Sequence, residues 1–141
     1  MKKRLLYLIL PIVTLILEII PYGAVCNFAR PANDGSIGHF WELYSYFDLI
    51  PFGYANFAPM ITGILSCFVL LLIVIYCITG RKRVLSLVKK PLSICVVVSL
   101  CPLLFGLRFF SIVGTLITIS LLGELLLILR LTKTPDNAQK P

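Results

Sequence analysis

The sequence predicts an all-α membrane protein: a four-transmembrane-helix bundle with one amphipathic helix lying at the external interface. Three observations predict it. Residues 5–25, 57–79, 91–107 and 109–129 of the 141-residue chain are apolar stretches at or near membrane-spanning length. With 59% hydrophobic and 13% charged residues, a soluble domain of this size would be covered in hydrocarbon. The cations cluster between and beyond the apolar stretches. All 141 residues belong to one integral membrane domain on this reading.

A hydrocarbon core about 30 Å thick needs about 20 helical residues, which the first, second and fourth stretches supply. Residues 91–107 would rise only about 25 Å, so that span thins the bilayer, starts within the preceding basic loop, or packs against neighbours that tolerate the mismatch; a re-entrant hairpin is the other way to place it. The N-terminus, Met1 to Arg4 before an apolar run, has the outline of a secretory or lipoprotein signal. Gly23, Ala24 and Val25 before Cys26 do not suit lipoprotein processing, and the run is long and holds Glu18, so an uncleaved first helix is expected.

Orientation follows from thirteen Lys and Arg. Lys2, Lys3 and Arg4, then Arg81, Lys82, Arg83, Lys89 and Lys90 in a basic loop 80–90, then Arg130, Lys133 and Lys140 in a tail 130–141, leave only Arg30 and Arg108 for the opposite side. The positive-inside rule then places both termini in the cytoplasm of a multi-pass protein of the cell (plasma or inner) membrane.

Two acids fall within the spans. Glu18 costs about 2.5 to 3.5 kcal/mol at a helix centre on insertion scales, which twelve Leu, Ile and Val between residues 5 and 20 offset at about 0.3 to 0.6 kcal/mol each. The preferred structural reading pairs it with Arg108 across two helices; the functional reading is a carboxylate that binds protons or cations. Glu124 has no cation at its depth, but Ser120 lies one turn earlier on the same face and Gly123 beside it admits a neighbouring helix. Small residues make further packing stripes: Gly63, Ser66 and Cys67 on the second span, Cys95, Ser99, Pro102 and Gly106 on the third, Ser111, Gly114, Thr115 and Thr118 on the fourth. Pro11 and Pro102 each remove a backbone donor within a span.

Residues 26–56, with Phe57, hold nine of the sixteen aromatic side chains. After Asp34, Gly35 and Ser36, able to cap a helix, Ile37, Phe40, Trp41, Tyr44 and Phe47 recur at three- and four-residue spacing. That pattern predicts an external interfacial helix anchored by these five residues, with Pro51, Phe52, Gly53 and Tyr54 as a turn beyond it. The stretch Tyr44–Pro59, YSYFDLIPFGYANFAP, resembles a segment of small uncharacterised multi-span proteins of Gram-positive bacteria, a resemblance covering about a tenth of the chain that implies no activity. Four spans and a first-helix glutamate are also similar in outline to the small multidrug resistance transporters. Glu18 sits toward the outer side, the flanking residues differ, and the aromatic loop is foreign to that family, so no residue role is carried over.

Other classes find little support. One His, no paired loop carboxylates and no glycine-rich phosphate loop argue against an enzyme. Cys26, Cys67, Cys77, Cys95 and Cys101 lack metal-ligand spacing, so no metal and no cofactor is expected, and only Cys26 is expected to face the exterior. A net charge of +7 split among three short segments makes no nucleic-acid surface, although the basic loop suits anionic lipid. The expected partners are the lipid bilayer and a second copy or another membrane protein. The expected role is a small accessory or interaction subunit, the alternative a dimeric proton-linked transporter of small cations or solutes using Glu18 and Glu124.

Overall fold

A computed structural model describes residues 6–31, 37–48 and 57–133. Four helices pack side by side with a β-hairpin at one end. Helix α1 (Ile9–Ile19) follows a 3-10 turn at Leu6–Leu8; strands β1 (Ala24–Pro31) and β2 (Ile37–Tyr44) form the hairpin; α2 (Ala58–Thr79), α3 (Lys82–Leu100) and α4 (Ile112–Lys133) complete the bundle. Three helical stretches, Ala58–Thr79, Lys82–Phe105 and Ile112–Thr132, are long and apolar enough to cross a membrane.

The first helical stretch, Leu6–Ile19, is shorter than the expected first span. Pro21 disfavours helical backbone at the residue before it, and Ile20 accordingly turns to φ −65°, ψ 130°. The chain leaves α1 one turn early and enters the hairpin. Helix α2 ends at Gly80, whose φ of 67° suits a residue without Cβ and whose N–H bonds the carbonyl of Tyr76. Only Gly80 and Arg81 then separate α2 from α3, so the two run antiparallel in close contact.

The basic segment expected as loop 80–90 is instead the first half of α3. That resolves the shortness of 91–107, because Lys82–Phe105 gives 24 residues, the last five in a 3-10 turn. Pro91 lies inside this helix, removing one backbone bond, while Pro102 opens the 3-10 turn that ends it. Gly106, expected to line a helix, sits beyond it at φ 119° with open space around its α-carbon, and Cys67 is exposed. The other expected packing residues face the interior: Gly63, Ser66, Ser99, Gly114, Thr118 and Ser120 are buried and Gly123 is half-buried, with Leu10 3.3 Å from where its Cβ would stand.

The largest difference is the aromatic segment. Ile37, Phe40, Trp41 and Tyr44 lie on β2, paired antiparallel with β1 so that Phe28 opposes Phe40 and Asn27 opposes Trp41. The rings of Phe28 and Phe40 stack at 5.4 Å, and Trp41 meets Phe109 edge-on at 5.1 Å. These contacts, one across the strands and one to the 3-10 turn at Leu107–Phe109, come from partners outside any one window of helical spacing, and they override the local pattern. Phe47, the fifth expected anchor, lies past the strand in a turn with its ring over Gly63. Cys26, expected outside, is only 1% exposed at the root of β1. Asp34, Gly35, Ser36 and the expected turn Pro51, Phe52, Gly53 and Tyr54 lie outside the described residues, as do Lys2, Lys3, Arg4 and Lys140.

The bundle turns many of its large hydrophobic side chains outward and its polar ones inward. Ile64, Phe68, Leu71 and Ile78 on α2 and Leu116, Ile119, Leu122 and Leu126 on α4 are exposed, whereas Thr14, Glu18, Thr62, Ser66, Ser99, Thr118, Ser120 and Glu124 are buried with Val69, Ile73, Leu92, Ile117 and Leu121.

Candidate functional site

Both acids lie in the interior, on faces set by helical spacing. Thr14 and Glu18 are one turn apart on α1, Ser120 and Glu124 one turn apart on α4, and Ser66 faces them from α2. Tyr7 packs on Tyr76 at 6.3 Å while Glu18 meets Ser66, so α1 runs antiparallel to α2.

The Thr14 oxygen lies 2.5 Å from Glu124 Oε1, 2.7 Å from Ser120 Oγ and 3.0 Å from the Leu10 carbonyl. A hydroxyl has one proton to donate, and the carboxyl is the closest acceptor, which leaves Ser120 to donate to Thr14. Glu124, 4% exposed, thus shares a three-membered network with two hydroxyls from two helices.

Glu18 is fully buried. Ser66 Oγ donates to its Oε2, and its Oε1 has no hydrogen-bond partner. The expected pair with Arg108 does not form. Helix α3 and its 3-10 turn stop before Gly106, so Arg108 is carried beyond the bundle and stands exposed beside Val25, Trp41 and Leu43. The charge-bearing neighbours of Glu18 among the described residues are Glu124, Tyr46, Cys67 and Cys95, none of them a cation.

Above Glu18 the bundle is closed. The N–H of Tyr46 bonds the Glu18 carbonyl at 2.9 Å, and the Tyr46 ring, 2% exposed, lies on Gly23, where a Cβ would stand 2.9 Å from two ring carbons. The turn is held by Ser45 N–H to Asp48 at 2.6 Å. Ser111 ties the hairpin to α4, donating to the Gly23 carbonyl and accepting the Gly114 N–H, both at 2.8 Å, as an N-cap does. On the hairpin, Tyr44 donates to Glu42 at 2.5 Å, which pushes its phenol up to about 12. Burial, with Glu42 opposite, pushes the Cys26 thiol up.

At the other end Glu124 borders a crevice of about 10 Å³, close to the size of one water, with Tyr7, Leu10, Pro11 and Leu127. Tyr7 and Leu127 also line an open groove of about 440 Å³ that includes Arg130. Thr14, the link between the acids' helices, was not singled out from the sequence; its signal was a hydroxyl one turn before Glu18. Among the described residues no cluster of three or more His, Cys, Asp or Glu stands ready for a metal. No family model, curated protein or solved structure matches the chain.

Proposed function

We propose that the chain is a small multi-pass protein of the cell membrane, with both termini cytoplasmic, that serves as a non-enzymatic accessory subunit docked on another membrane protein or a second copy of itself. The inverted bundle, aliphatics outward and hydroxyls and acids inward, supports the membrane setting, because only hydrocarbon makes that arrangement favourable. Arg81, Lys82, Arg83 and Arg130 gather at the end away from the hairpin, which supports that end as cytoplasmic.

The observation that carries the docking role is β2. From Ile37 to Leu43 every residue is exposed, so Ile37, Phe40, Trp41 and Leu43 present apolar surface on both faces of a two-stranded sheet. A two-stranded hairpin is marginal by itself and its edges are ready for pairing. Trp41 replaced by a photoreactive phenylalanine analogue should form a discrete protein adduct in native membranes. Labelling of lipid alone would leave anchoring as the role of the strand. Reporter fusions after residues 80 and 141 should read cytoplasmic and one after residue 35 external; a cytoplasmic reading at 35 overturns the topology.

A further inference from the structure

Thr14 joins Ser120 to one oxygen of Glu124, Ser66 bonds Glu18 Oε2 and the Gly63 carbonyl, and the second carboxyl oxygen of Glu18 is left unexplained. A fully buried acid oxygen with no donor is costly as packing, since each buried carboxylate lone pair left unpaired forfeits the hydrogen bond it had in water. Packing alone therefore gives no reason for Glu18 to carry a second oxygen.

Three further features of the same interior bear on it. The charge of Glu124 reaches Glu18, and among the described residues no cation acts on either acid. Thr14 is bonded to Glu124 and lies one turn from Glu18 on the same face of α1. Glu124 alone borders the crevice, and the crevice shares Tyr7 and Leu127 with the groove at the basic end. The opposite end is closed over Glu18 by Tyr46 and its backbone bond.

We propose that Glu18 and Glu124 form a proton-exchanging carboxyl pair, loaded through the crevice from the basic end of the bundle. Glu124 takes a proton from water in the groove. No hydrogen bond joins Thr14 to Glu18 at rest, so transfer inward requires the Thr14 hydroxyl to swing from Glu124 toward a Glu18 side chain turned to meet it; the Glu124 acid then hands its proton to the Thr14 oxygen as the Thr14 hydroxyl proton passes to Glu18, with no net change at Thr14, and the reverse sequence unloads the pair. The unpartnered Oε1 of Glu18 is the atom that receives the proton. Other titratable groups near the pair are buried Tyr46 from the hairpin turn, buried Cys95 from α3, Tyr7 at the crevice, and Cys67 on the exposed side of α2. The site does not depend on the docking role of β2.

The test is infrared spectroscopy of the full chain in lipid vesicles, following the carboxylic-acid carbonyl bands after transfer to heavy water. The wild type should show two acid bands at neutral pH, one lost in Glu18→Gln and the other in Glu124→Gln, both shifting as deuterium enters. Leu127→Trp, which fills the crevice, should slow the shift at least tenfold with helical content unchanged, and Thr14→Val should slow only the Glu18 band. If Leu127→Trp fails to fold, Leu127→Phe serves, with a smaller slowing in the same direction. Absent acid bands, or exchange at Glu18 that ignores both Leu127 and Thr14 substitutions, would overturn the proposal.

Discussion

The two ends of the bundle are built on opposite plans. At the hairpin end the chain bonds itself shut: Tyr46 is wedged on Gly23 and tied to the Glu18 carbonyl, Ser111 joins Gly23 to α4, and Ala24 bridges Phe110. At the basic end Tyr7, Leu126, Leu127 and Arg130 line an open groove. Order is thus concentrated beside Glu18 and looseness beside Glu124, so two acids in one interior differ in what can reach them.

The strongest way to break this comparison is Tyr46→Ala, which empties the wedge. By analogy with other buried aromatic truncations it should cost about 3 to 5 kcal/mol in denaturant unfolding in mixed micelles, against within about 0.5 kcal/mol for Leu126→Ala at the open end. Equal costs would erase the distinction between the ends. Gly23→Ala comes next, placing a methyl 2.9 Å from the Tyr46 ring, and should cost about 1 to 3 kcal/mol. That cost should vanish in a Tyr46→Ala background; a persistent penalty would place the strain elsewhere.

Thr14→Val keeps the side-chain shape and removes the hydroxyl held by Glu124 and Ser120, with an expected loss of about 1 kcal/mol, the scale measured for hydrogen bonds between membrane helices. No loss at all would mean that Ser120 alone satisfies Glu124. The smallest effect lies on the hairpin. The phenol of Tyr44 is raised from 10.0 to about 12 by its bond to Glu42, so that bond contributes fully below pH 10.0 and is lost as pH rises through about 12. Burial pushes the Tyr46 phenol up further, so alkaline absorbance titration should show two tyrosines ionising after the others, the one near pH 12 missing in Tyr44→Phe; two late steps in that variant would assign the step near pH 12 to another residue.

What the sequence disclosed divides along the same line. The helices were legible because lipid-scale apolar runs are a local property, and Ser66, Ser99, Thr118 and Ser120 were found inward by spacing alone. Ile37, Phe40, Trp41 and Tyr44 fit a helical stripe as well as a strand, and the information that decides between them sits on β1 at Phe28 and Asn27. A window along one segment does not contain it. The Glu18–Arg108 pair does not form for a related reason: it requires an unbroken helix to residue 107, whereas the 3-10 turn and Gly106 end the regular rise earlier. Thr14 escaped notice because its role is defined by Glu124, 110 residues away.

That separation has a consequence for synthesis. Glu18 leaves the ribosome 48 residues ahead of Ser66, and Thr14 110 residues ahead of Glu124. During translation the first helix waits with its acid unanswered until α2 brings Ser66. Helix α4 then delivers Ser120 and Glu124, the partners most distant in sequence from Thr14.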